Sequence, residues 1–252
     1  MNMLIKLLGL IIMTIFFCNS QGLSDNFKEK QLQYYRVKIA YNEKEELLKA
    51  EFSKKKMIYP AANIFLRIFK NERILELWIK EKSKKKYKFF KSYEFAGFSG
   101  KLGPKLREGD GQIPEGYYYI SNFNPLSNYH LSLKIDYPNN FDKKTNFNIT
   151  NLGGDIFIHG SNVTIGCIPI TDDKIKELYI LAVEAKNAGQ SNIPVHIFPI
   201  KLTRENFGKI SELYKIHKNF WQKLKSGFDY FNTTNELFEY DDDYNICESK
   251  QR

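Results

Sequence analysis

Cys167 and His159 are the two residues whose types and spacing could do chemistry in this chain. They lie eight residues apart in Gly153-Gly154-Asp155-Ile156-Phe157-Ile158-His159-Gly160-Ser161-Asn162-Val163-Thr164-Ile165-Gly166-Cys167. A thiol attacks as its thiolate, and a free cysteine with a pKa of about 8.5 is mostly protonated at neutral pH. An imidazole within hydrogen-bond reach can take that proton and so make a nucleophile–base pair. Gly160 lets the chain turn sharply after the histidine, and Gly166 lets the backbone approach closely just before the thiol. Amides around Gly166 and Cys167 could then stabilise an oxyanion. The same residues admit a plainer reading, in which Cys167 is a small buried hydrophobe and His159 a satisfied core histidine.

Such a pair needs a rigid base, and the surrounding pattern supplies one. Apolar runs at 64–69 and 74–79, separated by the turn-like Lys70-Asn71-Glu72-Arg73, read as two strands, and 87–95 as a third. Further strands are expected at 117–120, 130–135, 155–159 and 194–199. Between the third and fourth strands lies a glycine-rich stretch over 97–116, the kind of long irregular loop that is usually functional. Its glycines form neither GxxxxGK[ST] nor a strand–GxGxxG–helix unit, so it is not read as a nucleotide loop. After Thr171, a candidate N-cap, Ile175, Leu178, Tyr179, Ala182 and Ala185 recur at helical spacing, and Gly189 suits the stop. Residues 25–56 read as one or two amphipathic helices, residues 203–226 as helical, and the acidic end around 241–243 as loose.

The whole chain has 252 residues and a formal charge of +9, and 15% of its residues are aromatic, enough for one sizeable catalytic domain with extensions. Residues 201–252 carry nine basic and nine acidic side chains, so the excess lies entirely before them. A basic body suits an anionic partner, although runs such as Lys54-Lys55-Lys56 and Lys84-Lys85-Lys86 are more often simply solvated. No helix-turn-helix, zinc-finger or RNP pattern accompanies the charge, which argues against nucleic acid. Three widely spaced cysteines, Cys18, Cys167 and Cys247, do not make a disulfide framework. Lys6 followed by the apolar run 7–17 reads as a secretory signal over residues 1–20, with Cys18 lipidation the alternative; the run falls short of the ~20 residues of a spanning helix.

The run from Asp155 to Gly160, with Thr164-Ile165-Gly166-Cys167 after it, resembles the active-site signature of the YkuD-type L,D-transpeptidases. That signature is a His-Gly, a variable gap and [Ser/Thr]-His-Gly-Cys; the likeness is strongest to the YafK-like branch, where the gap is short and an apolar residue precedes Gly-Cys. Ile113-Pro114-Glu115-Gly116-Tyr117 resembles the family's Pro-x-Gly hairpin, and the Asn124–His130 and Ile193–Pro199 blocks also fit. The likeness spans about residues 62–200. Ile165 stands where the longer signature has a second histidine, and Ile168-Pro169 replaces its usual continuation.

This resemblance implies an α+β, strand-dominated fold: a mixed β-sandwich with a helix after the nucleophile and added terminal helices. With the segments read from the residues, it divides the chain into a signal peptide at 1–20, a helical lead-in at 21–57, a catalytic domain at 58–200 and a helical extension with an acidic tail at 201–252. Cys167 would be the nucleophile and His159 the base, with Gly166, Gly160, Thr164 and His130 around the oxyanion and substrate. Tyr117, Tyr118 and Tyr119 are expected in the sheet, His196 as structural and His217 as solvent-facing. The partners would be peptidoglycan stem peptides and a wall-attached protein or amine acceptor in the periplasm or cell envelope, with membrane contact only through the leader. No cofactor or metal is called for. A hydrolase of the same fold and a catalytically silent binding module are the alternatives, and a zinc site from His130, His159, Cys167 and His196 is a rival without a familiar spacing.

Overall fold

Strand β1 (Asn63–Phe69) is apolar at nearly every position because both of its faces are covered. Ile64, Leu66 and Ile68 enter one core; Phe65 and Phe69 enter clusters on the opposite side. The computed structural model describes residues 26–247, and the leader expected at 1–20, Cys18 included, lies outside them. Around β1 the sheet comprises β2 (Ile74–Lys80), β3 (Lys88–Glu94), β4 (Gly116–Asn124), β5 (Ser132–Ile135), β6 (Phe157–His159), β7 (Ile168–Pro169) and β8 (Pro194–Phe198). Its order is β3-β2-β1-β8-β4-β5-β6-β7. The β1–β8 and β6–β7 pairs are parallel; the other pairs are antiparallel.

The sheet curls until its ends meet: the amide of Ala96, just beyond β3, donates to the carbonyl of Pro169 in β7 at 2.8 Å. The expected mixed α+β composition is present, but the strands form one curled eight-stranded sheet instead of two stacked ones. A right-handed strand twist accumulated over eight strands brings the edges round in this way.

Helices fill both sides. Helix α1 (Phe27–Gln31) and helix α2 (Tyr35–Lys54) pack on the long helix α4 (Asp172–Asn187), which lies against the sheet. α4 begins at Thr171, whose side chain accepts from the Lys174 amide, and ends before Gly189 at φ 103°, a conformation glycine adopts without strain. A short helix α3 (Asn140–Thr145) follows β5. On the other face lie α5 (Arg204–Leu213) and α6 (Lys218–Thr234). Trp221, Leu224 and Phe228 of α6 pack with Phe69, Tyr117 and Phe198, while Phe231 meets Phe65 and Tyr87. Burying such side chains is worth roughly 1.5–3 kcal/mol each.

Two local expectations change. The acidic end is ordered: a short β9–β10 hairpin (Glu239–Tyr240, Ile246–Cys247) seats Tyr244, whose hydroxyl accepts from the Tyr117 amide and the Asn139 side chain. The acidic residues themselves stay at the surface, and the tyrosine between them supplies the apolar anchor that composition alone conceals. His217 is half-buried against Trp221 and Gly103, because the glycine leaves room for the imidazole.

Candidate active site

The β6–β7 pair sets the geometry of the candidate site. Ile158 pairs with Ile168 and His159 with Pro169 in parallel register. Cys167 directly precedes β7, so the same register puts it opposite Phe157. Alternation along β6 sets Phe157 and His159 on one face, and Cys167 stands on the neighbouring chain segment next to Phe157.

Each partner is held by its own contacts. Nδ1 of His159 lies 2.6 Å from the carbonyl oxygen of Gly160. A carbonyl can only accept, so Nδ1 carries the proton and Nε2 of the neutral ring is the basic nitrogen. The ring of Tyr129 covers the imidazole with centroids 4.7 Å apart, and His159 is 1% exposed. The Cys167 thiol donates to the Asp155 carbonyl at 3.4 Å. Burial pushes the Cys167 thiol up, partly offset by the Phe157 amide, while burial pulls the His159 imidazole down. Both directions favour a neutral thiol and a neutral imidazole over a preformed ion pair.

The turn between them is tightly specified. Gly160 donates to the carbonyls of Tyr129 and Leu131, and a Cβ there would meet the Tyr129 carbonyl at 2.7 Å and the Asp172 carboxylate. Asp172, in the first turn of α4, accepts from the Ser161 amide at 2.7 Å. His130, Ser161 and Thr171 all have φ between 61° and 74° and surround this glycine. Non-glycine residues in that region store strain, which tends to collect at functional sites. Thr164 closes the other end: its hydroxyl accepts from the Cys167 amide and donates to the Cys167 carbonyl, both at 2.8 Å.

The glycine-rich stretch lies over the thiol. Ser99 Oγ accepts from the Gly166 amide at 2.8 Å, and Gly166, at φ 117°, has the Gln112 carbonyl 3.0 Å from where a Cβ would sit. Lys105 is the cation whose field favours the Cys167 thiolate; it is clasped by Asp110 and the Arg107 carbonyl at 2.6 and 2.8 Å. Thus both amides expected to receive an oxyanion already have hydroxyl acceptors. Ser99, Lys105 and Gln112 were not singled out in the sequence, since they come from a loop with no motif of its own; Tyr129 belongs to the Asn124–His130 block, whose pattern assigns it no role.

His130 sits behind the turn. Its carbonyl accepts from Arg36 of α2 at 2.7 Å, and its ring is depressed by burial and feels Asp172, Lys176, Arg36 and Glu43. His196 lies among Phe65, Tyr117, Phe198 and Phe238, and Phe65 and Tyr117 belong to the clusters under α6. Among the described residues no three His, Cys, Asp or Glu side chains are grouped to hold a metal ion.

Comparison with known proteins agrees with the motif. The family model of the YkuD L,D-transpeptidase catalytic domain matches residues 64–197, from β1 through β8. The chain belongs to the YkuD family. Membership classes it with the L,D-transpeptidases, enzymes that modify peptidoglycan. YafK of Escherichia coli K12, which carries an L,D-transpeptidase name, is 35% identical over 173 residues, covering 68% of this chain and 67% of YafK. Among solved structures, the cell-shape-determining protein Pgp2 of Campylobacter jejuni aligns at a TM-score of 0.43 and 22% identity, over 57% of this chain and 50% of Pgp2. L,D-transpeptidase 1 of Mycobacterium tuberculosis aligns at 0.31 and 12%, over 54% of this chain and 61% of that one. The chain therefore spans about half to three-fifths of the length of these two structures.

Proposed function

We propose that the chain is a cysteine acyltransferase of the cell envelope that acts on peptidoglycan stem peptides. The carrying observation is the Nδ1 contact of His159 with the Gly160 carbonyl, which leaves Nε2 as the basic nitrogen, on the strand paired with the one that Cys167 precedes. Nε2 takes the thiol proton as Cys167 Sγ attacks the carbonyl of an L,D-peptide bond. A C–S bond forms, the C–N bond breaks, and the imidazolium returns the proton to the leaving amine. The thioester then passes its acyl group to an amine of a second stem peptide or a wall-attached protein; water in that place gives hydrolysis.

Developing negative charge on the carbonyl oxygen calls for amide donors. The Gly166 and Cys167 amides serve if the substrate oxygen exchanges with the Ser99 and Thr164 hydroxyls that accept from them at rest. Since burial keeps both partners neutral, the proton moves only as attack occurs, and none of these steps needs a cofactor.

The test is mass spectrometry of the chain incubated with defined tetrapeptide and cross-linked muropeptides beside Cys167→Ala. A new cross-link or a trimmed peptide, absent with the variant, supports the proposal and separates transfer from hydrolysis. Equal turnover by the variant removes Cys167 from the reaction.

A further inference from the structure

The two lysine runs noted in the sequence converge at one end of the molecule, far from the thiol. Residues 54–56 close α2, and the β2–β3 connection with its flanks, residues 80–88, carries six more lysines. These nine lysines are accompanied by a single acid, Glu81, so they account for nearly the whole +9 of the chain. None of them takes part in an ion pair among the described residues. Several lysines elsewhere are matched: Lys28 meets Glu184, Lys91 meets Glu51 and Glu177, and Lys176 meets Glu43. Unneutralised like charges held together repel one another, and among the described residues only Lys55 over Phe90 and Lys80 over Tyr87, each at 5.6 Å, have a ring contact.

Between the runs lies an apolar-floored cavity of about 250 Å³, with Met57, Ile58, Pro60, Ala62 and Ile79 in its wall and the lysines of the hairpin at its rim. Ile58 is 67% exposed beside it. A soluble polyanion would use the lysines but gain nothing from the apolar floor. An amphiphile with an anionic head and acyl chains uses both. We infer that this end of the molecule docks on the surface of an anionic phospholipid bilayer, the lysines meeting headgroup phosphates and Ile58 entering the acyl boundary.

The placement suits a two-ended protein. The lysines sit at the start of β3, whereas its far end leads to Ala96 and the Pro169 contact beside the candidate site. Seven strand residues separate those ends by about 20 Å, so docking leaves the cleft facing away from the bilayer.

The full chain should sediment with phosphatidylglycerol–phosphatidylcholine vesicles more strongly than with pure phosphatidylcholine, and less so at high salt. Each surface lysine near an anionic leaflet contributes about fivefold, so Lys84→Gln/Lys85→Gln/Lys86→Gln should weaken binding on the order of 100-fold. Ile58→Asp should weaken it too, with the salt dependence kept. A charge-matched variant, Lys144→Gln/Lys209→Gln/Lys225→Gln, should bind as the parent does; thermal unfolding of each variant checks that it folds. Unchanged binding after the triple change at 84–86 overturns the inference and leaves the N-terminal apolar run as the anchor. Equal weakening by the charge-matched variant, or vesicle binding indifferent to Ile58→Asp and matched by dextran sulfate, overturns it as well.

Discussion

Two pairs of titratable groups in this molecule, one completely buried and one with its thiol half-buried, are built on opposite plans. Lys70 and Glu115 are completely buried, 3.0 Å apart, and surrounded by partners. Lys70 Nζ also donates to the carbonyls of Gly103 and Ile113 at 2.8 Å, while Glu115 accepts from the Gly103 amide and from Trp221 Nε1 at 2.8 and 2.7 Å. Burial draws the Lys70 ammonium down and Glu115 opposes it. The node joins the end of β1, both halves of the glycine-rich stretch and α6, and so fixes the loop that lies over Cys167. Cys167 and His159, by contrast, have few bonds, both driven toward neutrality by burial. A buried charge survives where every lone pair and proton has a partner; a buried group kept neutral and sparsely bonded is free to exchange a proton.

The sharpest way to break this contrast is at the thiol. Cys167→Ala should lower turnover of muropeptides on the order of 10³-fold or more, with the unfolding midpoint nearly unchanged. At the node the order reverses: Lys70→Met should cost about 3–5 kcal/mol in urea unfolding, because it strands Glu115. Lys70→Met/Glu115→Leu should recover part of that loss, since removing both charges removes the desolvation penalty as well. If the double change is no better than the single one, the node is held by its packing and not by its charges.

Titration separates the plans further. A thiol pushed above the ordinary cysteine value is scarcely ionised near neutrality, so Cys167 should alkylate with iodoacetamide more slowly than exposed Cys247 at pH 8 and speed up only in more alkaline solution. Faster reaction at Cys167 would mean a preformed thiolate–imidazolium pair. A third buried group, His196, is held far below the ordinary histidine value of 6.5 by burial, with Arg67 adding to it. The unfolded chain then binds the extra proton first, so stability should fall as pH drops below about 6.5, and His196→Phe should flatten that slope. The smallest effect is expected at Thr164→Val: losing the hydroxyl that bridges the Cys167 amide and carbonyl should cost roughly 1–2 kcal/mol of stability, read from thermal unfolding.

Local pattern made much of this protein legible. Short apolar runs placed β1 and β2 within a residue of their observed ends, and Thr171 with helical spacing placed α4. The Gly160 and Gly166 positions could be argued from residue type, because a missing Cβ is a local property; the collisions a Cβ would make there depend on neighbours far along the chain. Family likeness at Asp155–Cys167 likewise resides in consecutive residues.

What the sequence by itself determined, then, is the longer strands and helices, the family and the short-range pairing of residue types around His159 and Cys167. Only the tertiary structure decided that one sheet curls until Ala96 meets Pro169, that Ser99 and Gln112 reach Gly166 from more than fifty residues away, and that Trp221 completes the bonding of Glu115. It also set Met57 and Ile58 against residues 79–88 around one cavity and laid Lys55 over Phe90 of β3. Periodicity and capping are written within a few residues of one another, whereas loop approach, charge pairing and burial depend on which distant segments share a face, and a single chain read in order does not carry that information.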